Sequence, residues 1–297
     1  MKKRIGPDGI HFFDRWTGTN ILANECILPA EQWSLGPRQV SIALTNLCNL
    51  NCKFCYAPKV KANLDTKSLR TWLKEFDQLG TLGVGFGGGE PTLHPEFSEI
   101  CEFAANETEL AVTFTTHGHH LKDALLSRLK GNVHFMRISI DGVGATYENF
   151  RGRKFDKLLA RVESARKISP LGFNVVINDS TINDLDGLTN LATKFDISEI
   201  LLLPQQATFQ VDGISDDTYK KMKKWIANYT GKTRLAISDI GLEYNFICNP
   251  LLLEKGLDAY AHIDALGFLR SSSYSNVGQQ ISEKSVLEAL KLLKACK

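Results

Sequence analysis

Between Val40 and Tyr229, short β-branched runs alternate with patterns of helical period, and no other feature constrains the fold of this 297-residue chain as much. The patterns predict strands near Val40–Leu44, Gly83–Phe86, Ala111–Thr115, His134–Ile140, Asn174–Ile177 and Ile200–Leu203. Between and after them they predict helices near Lys67–Leu79, Glu96–Ala105, Lys122–Leu129, Lys154–Ile168, Leu185–Phe195 and Asp216–Tyr229. Six strand-helix units in succession imply a parallel sheet with right-handed crossovers, either an open α/β layer or a partial barrel. In both architectures binding sites form at the carboxyl ends of the strands.

The stretch "TNLCNLNCKFCYAP", Thr45 to Pro58, follows the first strand and so occupies that location. It brings Cys48, Cys52 and Cys55 into eight positions, with no further cysteine until Cys101. Thiolates ligate zinc and iron-sulfur clusters, and the number of ligands separates the two. A structural zinc site needs a fourth ligand, for which Cys101 or Cys248 is available; a 4Fe-4S cluster on three cysteines leaves one iron open to an outside ligand.

The spacing Cys48-x3-Cys52-x2-Cys55 after a first barrel strand resembles the signature of radical S-adenosylmethionine (SAM) enzymes. Further elements follow in the order of that family. "GGGEP" after the second strand contains Gly88-Gly89-Glu90, which matches its GGE element, and Tyr56 matches the aromatic beside the cluster and the adenine. "SIDG", Ser139 to Gly142, and "RGR" from Arg151 stand where the family places a hydroxyl and a guanidinium on the ribose and the SAM carboxylate; Asn178 is a weaker counterpart. The third strand of the family ends in Thr-Asn-Gly, whereas this chain reads "TTHGHH", so Thr116 and His117 take those positions. A metal site from His117, His119 and His120 is the competing reading of that run.

The resemblance covers Val40 to about Leu203 and implies one 4Fe-4S cluster on Cys48, Cys52 and Cys55, with SAM on its open iron. It implies SAM contacts from Tyr56, Gly88, Gly89, Glu90, Thr116, His117, Ser139, Arg151 and Asn178. It also implies reductive cleavage of SAM to a 5'-deoxyadenosyl radical that takes hydrogen from a substrate, and a donor such as flavodoxin or ferredoxin to supply the electron.

Around the barrel the chain divides into an amino-terminal extension (1–38), the barrel itself (39–236) and a carboxy-terminal cap (237–297). In the extension, "GIHFFDRWTGTNILANE" alternates about the turn Thr17–Asn20 and predicts a β-hairpin. The cap resembles a SPASM or twitch domain: a strand pair turning near Ala265–Phe268, then a final amphipathic helix over Glu283–Ala295. Where such domains carry a second cysteine, this chain reads Ser271-Ser272-Ser273, and Cys248 and Cys296 are too few to hold an auxiliary cluster. The expected fold is therefore a partial (β/α)6 barrel with an amino-terminal hairpin and a degenerate, twitch-like cap. Cys248 is read either as a small buried hydrophobe or as a thiol that returns hydrogen to a substrate radical.

Composition limits the partners. With 35 Lys and Arg against 33 Asp and Glu, the chain lacks the basic footprint of a nucleic-acid binder. "MKKR" at the start and "KKMKK" at Lys220–Lys224 read as solvated faces. No apolar run has the roughly 18 residues of a membrane span, and no signal-peptide core stands at the amino terminus, so a cytoplasmic protein is expected. The SPASM resemblance suggests a peptide substrate, as in ribosomal peptide maturation. A small molecule (nucleoside, sugar or amino acid) is the alternative within the same chemistry. A non-catalytic SAM-binding iron-sulfur sensor and a zinc-stapled scaffold are the alternatives of other classes.

Overall fold

The computed structural model describes residues 1–208, 210–238, 251–281 and 285–295. Its centre is a ten-stranded sheet whose seven successive strands from β4 to β10 are all parallel. These are β4 (Gln39–Thr45), β5 (Gly83–Gly88), β6 (Ala111–Thr116), β7 (Phe135–Ser139), β8 (Leu171–Ile177), β9 (Glu199–Pro204) and β10 (Arg234–Ile237). The connecting helices are α1 (Thr66–Gln78), α2 (Phe97–Glu107), α3 (Asp123–Leu129), α4 (Ala145–Arg151), α5 (Phe155–Ala165), α6 (Leu185–Lys194) and α7 (Asp216–Ala227). The six strands and six helices read from the sequence are present, and α4 and β10 are additions.

Alternation along β4 sets the two faces of the sheet. Val40, Ile42 and Leu44 are fully buried and share one core with Leu69, Trp72, Leu73 and Phe76 of α1. The intervening Gln39, Ser41 and Ala43 pair in register with Gly83, Gly85 and Gly87 of β5; the Gln39 amide lies over Gly83 and Gly85, and the inner face keeps space at Gly87. Helix α1 starts where Asp65 accepts from the Ser68 N–H at 2.8 Å. Four parallel strands thus deliver their last residues, Thr45, Gly88, Thr116 and Ser139, to one end of the sheet.

Before the barrel, β1 (Lys2–Gly6), β2 (Gly9–Phe13) and β3 (Asn20–Ala23) form a three-stranded antiparallel sheet. The expected hairpin is its β2–β3 half, and β1 is the strand that the basic start of the chain concealed. That start is also not a solvated face. Arg4 is 2% exposed and donates to Glu254 at 3.0 Å and to the carbonyls of Gly36, Gly80 and Asp258. A charge enters the core here because its partner charge is buried with it. "KKMKK" lies on α7 with four exposed lysines and Met222 in the core.

After the barrel, β11 (Tyr260–Ile263), β12 (Phe268–Arg270) and β13 (Gly278–Gln280) lead to α8 (Val286–Ala295). The strand pair expected about Ala265–Phe268 is β11–β12, but β11 also runs parallel to β4 and continues the barrel sheet at that edge. Among the described residues, no helix is long and apolar enough to cross a membrane.

Candidate active site

The three cysteines lie on a loop that is closed at its neck. Thr45 donates its hydroxyl to the Ala62 carbonyl at 3.1 Å, the Asn46 N–H donates to the same carbonyl at 3.0 Å, and Thr45 forms a β-bridge with Asn63. Within the loop, the Cys55 N–H donates to the Cys52 carbonyl at 3.1 Å and the Leu50 N–H to Sγ of Cys48 at 3.4 Å. Burial raises the Cys48 and Cys52 thiols above their ordinary range, and the neighbouring cysteines add to this. Cys101 faces away into the hydrophobic core on α2, so it is not a fourth ligand. Cys26 is exposed, and Cys248 and Cys296 lie outside the described residues.

Gly88 and Gly89 bring the end of β5 against the entry to this loop. Gly88 has a φ of +124°, and a Cβ on either glycine would strike the backbone of Thr45, Asn46 or Leu47. In their place the Gly89 N–H donates to the Thr45 carbonyl and the Glu90 N–H to that of Leu47, each at 2.7 Å. The Glu90 carboxylate, 1% exposed, accepts from the Thr92 N–H and hydroxyl, from the Thr116 hydroxyl at 2.7 Å and from the His117 N–H at 2.9 Å. Three of these donors fall on Oε1 and one on Oε2, so Oε2 keeps acceptor capacity.

The His117 ring reaches the cysteine loop. Its Nδ1 accepts from the His119 N–H at 3.1 Å, which puts the proton on Nε2, the donor to Oδ1 of Asn49 at 2.9 Å. Burial, with His120 and Arg151 adding, lowers its pKa to about 3, so the ring is neutral. Asn49 in turn meets Nε2 of His120 at 3.0 Å, and His119 meets the Tyr147 hydroxyl at 2.8 Å. These nitrogens are committed to hydrogen bonds, and among the described residues no group of three or more His, Cys, Asp and Glu converges on one ion.

Arg151 ends α4 beside Cys52, to whose Sγ its Nη1 donates at 3.4 Å. Its Nη2 pairs with Asp141, and its Nε is buried with no acceptor. Burial opposes the charge, but Asp141 and Cys52 outweigh it and raise the pKa. Ser139 at the end of β7 pairs in register with Asn174 of β8, which is 9% exposed with Oδ1 unpartnered. Asn178, by contrast, fills both acceptor sites of Oδ1 with the N–H groups of Ser180 and Thr181, and donates to Gln205.

Tyr56, 47% exposed, packs its ring 4.9 Å from that of Tyr274 in the β12–β13 connection. The segment whose serines stand in place of an expected cap cysteine therefore reaches the residue next to Cys55.

Sequence reasoning missed Asn49, Asp141 and Asn174. Asp141 is part of "SIDG", two residues after Ser139, where nothing in the sequence alone marks it as the partner of Arg151. Asn174 was visible as a polar residue in an apolar strand. Asn49 carried no signal beyond its place next to Cys48.

These residues fit a cluster and its ligand. A cubane does not need convergence on one ion, because each thiolate binds a different iron. The orphaned Arg151 Nε is suited to a carboxylate, and a Cβ on Gly87 would meet nothing within 4 Å, which leaves the inner face open beside the GGE turn.

A parallel, partly barrel-like α/β sheet with three cysteines on the loop after β4 defines the class. The sequence profile of the Radical SAM superfamily matches residues 42–192, just over half of the chain, and the chain belongs to that superfamily. Two curated relatives are similar over part of their length. The AdoMet-dependent heme synthase of Methanosarcina barkeri is 25% identical over 213 residues, 68% of this chain and 61% of that protein. The sporulation killing factor maturation protein SkfB of Bacillus subtilis is 33% identical over 154 residues, 50% of this chain and 36% of that one. The chain thus spans less than two thirds of either relative. Streptococcus suis SuiB bound to S-adenosylmethionine has the same fold, with a TM-score of 0.77 and 14% identity over 97% of this chain and 86% of that one. SuiB bound to its precursor peptide SuiA gives 0.73 and 16% over 87% and 65%.

Proposed function

We propose that this protein is a radical SAM enzyme, with Cys48, Cys52 and Cys55 holding one 4Fe-4S cluster and SAM bound between the GGE turn and the inner face of the barrel. The observation that carries this reading is the grouping of three cysteines beside a buried guanidinium that has an unpaired N–H. The cluster would supply the electron that cleaves the sulfonium and frees a 5'-deoxyadenosyl radical to take hydrogen from a substrate. The rest falls to the side chains of this chain. Arg151 takes the SAM carboxylate through Nε; Ser139 and Asn174 offer a hydroxyl and a carbonyl to the ribose; Tyr56 borders the adenine. Glu90, Thr116 and His117 hold the turn and the loop in place through hydrogen bonds to each other and to Asn49.

The substrate we favour is a peptide, and the cap a SPASM-like element without an auxiliary cluster. Likeness to a killing factor maturation protein and to a protein bound to its precursor peptide supports this choice. Likeness to a heme synthase, over the longer alignment, supports a small molecule as the second reading. The electron would come from a low-potential protein such as flavodoxin or ferredoxin.

Anaerobic reconstitution followed by reduction with SAM present tests the core of the proposal. The expected result is about four irons per chain and formation of 5'-deoxyadenosine. A reduced, iron-loaded protein that leaves SAM intact overturns it. Offering precursor peptides and small molecules in parallel, and following hydrogen transfer into 5'-deoxyadenosine, separates the two substrate readings.

A further inference from the structure

Arg151 is held so firmly that it has a second consequence. Its Nη1 donates to Sγ of Cys52 at 3.4 Å, its guanidinium lies 5.2 Å over the Phe54 ring, and Nη2 is gripped by Asp141. Asp141 cannot turn. It is fully buried in the left-handed region with a φ of 38°, and its Oδ1 accepts from the Val176 N–H at 2.7 Å. A carboxylate fixed in this way presents the guanidinium to the sulfur as a rigid, charged donor.

On the reading of the cysteines given above, we propose that Arg151, positioned by Asp141, raises the reduction potential of the cluster through its hydrogen bond to the Cys52 sulfur. Reduction adds one electron from an external low-potential donor and takes the cluster from the 2+ to the 1+ state; no protein bond breaks and no proton moves. The added negative charge is spread over the sulfurs, so a charged donor on one of them stabilises the reduced form more than the oxidised form. This role is separate from the contact of Nε with a carboxylate, because it operates before SAM arrives.

The test is a redox titration of the SAM-free, iron-loaded full chain with titanium(III) citrate, read by the EPR signal of the reduced cluster. Arg151→Gln shifts the midpoint to more negative potential, and Arg151→Lys, which keeps a charge but loses the fork, shifts it the same way by less. Asp141→Asn shifts it in that direction too. With Oδ1 kept on Val176, its amide nitrogen faces Nη2 donor to donor and releases the guanidinium. Arg153 is an exposed neighbour that bonds the Asn49 carbonyl, and Arg153→Gln leaves the potential unchanged. An unchanged potential in Arg151→Gln at full iron content overturns the proposal; if that variant takes up no iron, an unchanged potential in Arg151→Lys does so. An equal shift in Arg153→Gln assigns the effect to diffuse charge and also overturns it. A positive shift in Asp141→Asn, the mark of a lost negative charge with the guanidinium still in place, removes Asp141 from it. A wild-type chain that binds no iron refutes the cysteine reading itself, so iron content distinguishes the two failures.

Discussion

The main-chain N–H of His117, at the end of β6, donates to Oε2 of Glu90 at 2.9 Å, and the His117 ring then reaches Asn49 inside the cysteine loop. One buried carboxylate thus joins the exits of β4, β5 and β6. Three hydrogen bonds on Oε1 and one on Oε2 make Glu90 a brace for the site, with Oε2 still able to accept from a ligand's ammonium.

Glu90→Ala strips the acceptor from Thr92, Thr116 and His117 at once. Each buried donor left unsatisfied costs about 1–3 kcal/mol, partly recovered where a hydroxyl rotates to another acceptor. The expected loss is about 2–4 kcal/mol of stability by urea denaturation, together with weaker SAM binding because the GGE turn relaxes. Full stability with weakened SAM binding would instead mark Glu90 as a direct ligand contact.

Replacing Cys48, Cys52 or Cys55 by Ala removes the iron and 5'-deoxyadenosine formation together. Cys101→Ser keeps both, but it places a hydroxyl in an apolar core where the thiol is fully buried, at a cost of about 1–3 kcal/mol. Iron analysis and a denaturation curve on each variant check the pattern. Retention of the cluster in Cys52→Ala would refute the ligand set.

His117→Asn restores the residue usual in the family but shortens the reach to Asn49, which loses its 2.9 Å partner. The expected outcome is continued SAM cleavage with faster loss of iron in air, followed by the decay of the cluster absorbance. Wild-type air stability would show that the ring does not restrain the loop.

Much of this arrangement was legible in the chain. Hydrophobic period and turn residues fixed the strands to within a few positions, because β4 to β9 each bury one face against a helix and must alternate or run apolar to do so. The cysteines, GGE and SIDG were legible as contiguous motifs. What was not legible depends on pairings distant in sequence. β1 hides in "KKRIG" because Arg4 becomes a core residue only through Glu254, 250 positions away. β11 joins β4 across the whole barrel, and Asn49 matters only because His117 and His120 arrive from another strand's end.

Arg4→Ala tests the first of those distant pairings. It leaves Glu254, 4% exposed at its side chain, with Arg38 at 3.6 Å as its remaining cation, and it takes the donor from the carbonyls of Gly36 and Gly80, while that of Asp258 keeps the Arg38 N–H at 2.8 Å. Breaking a buried pair from one side costs about 3–5 kcal/mol, and Arg38 reduces this to about 2–4. Denaturation with urea reads the loss. Arg4→Met with Glu254→Gln, which removes both charges, recovers part of it if the penalty comes from the stranded carboxylate.

The last prediction concerns acid, and it rests on two histidines that lie away from the cysteines. His134, 6% exposed, accepts from the Val112 N–H at Nδ1 at 2.9 Å, a bond that a proton on that nitrogen would break. Burial, with Arg15 adding, lowers its pKa to about 4. His262, buried beside Ser41, is lowered to about 4, again chiefly by burial. In the unfolded chain each returns to its ordinary value of about 6.5. Below that pH the unfolded state binds more protons than the folded state, so stability is complete above about pH 6.5 and falls as the pH drops toward 4. Each histidine contributes a slope of up to about 1.4 kcal/mol per pH unit, and up to about 3 kcal/mol over the window. Denaturation midpoints measured between pH 7 and pH 4.5 should show the loss, and His134→Gln should remove about one proton from the slope. A slope in His134→Gln equal to that of the wild type would mean that His134 is already protonated, or already exposed, in the folded chain.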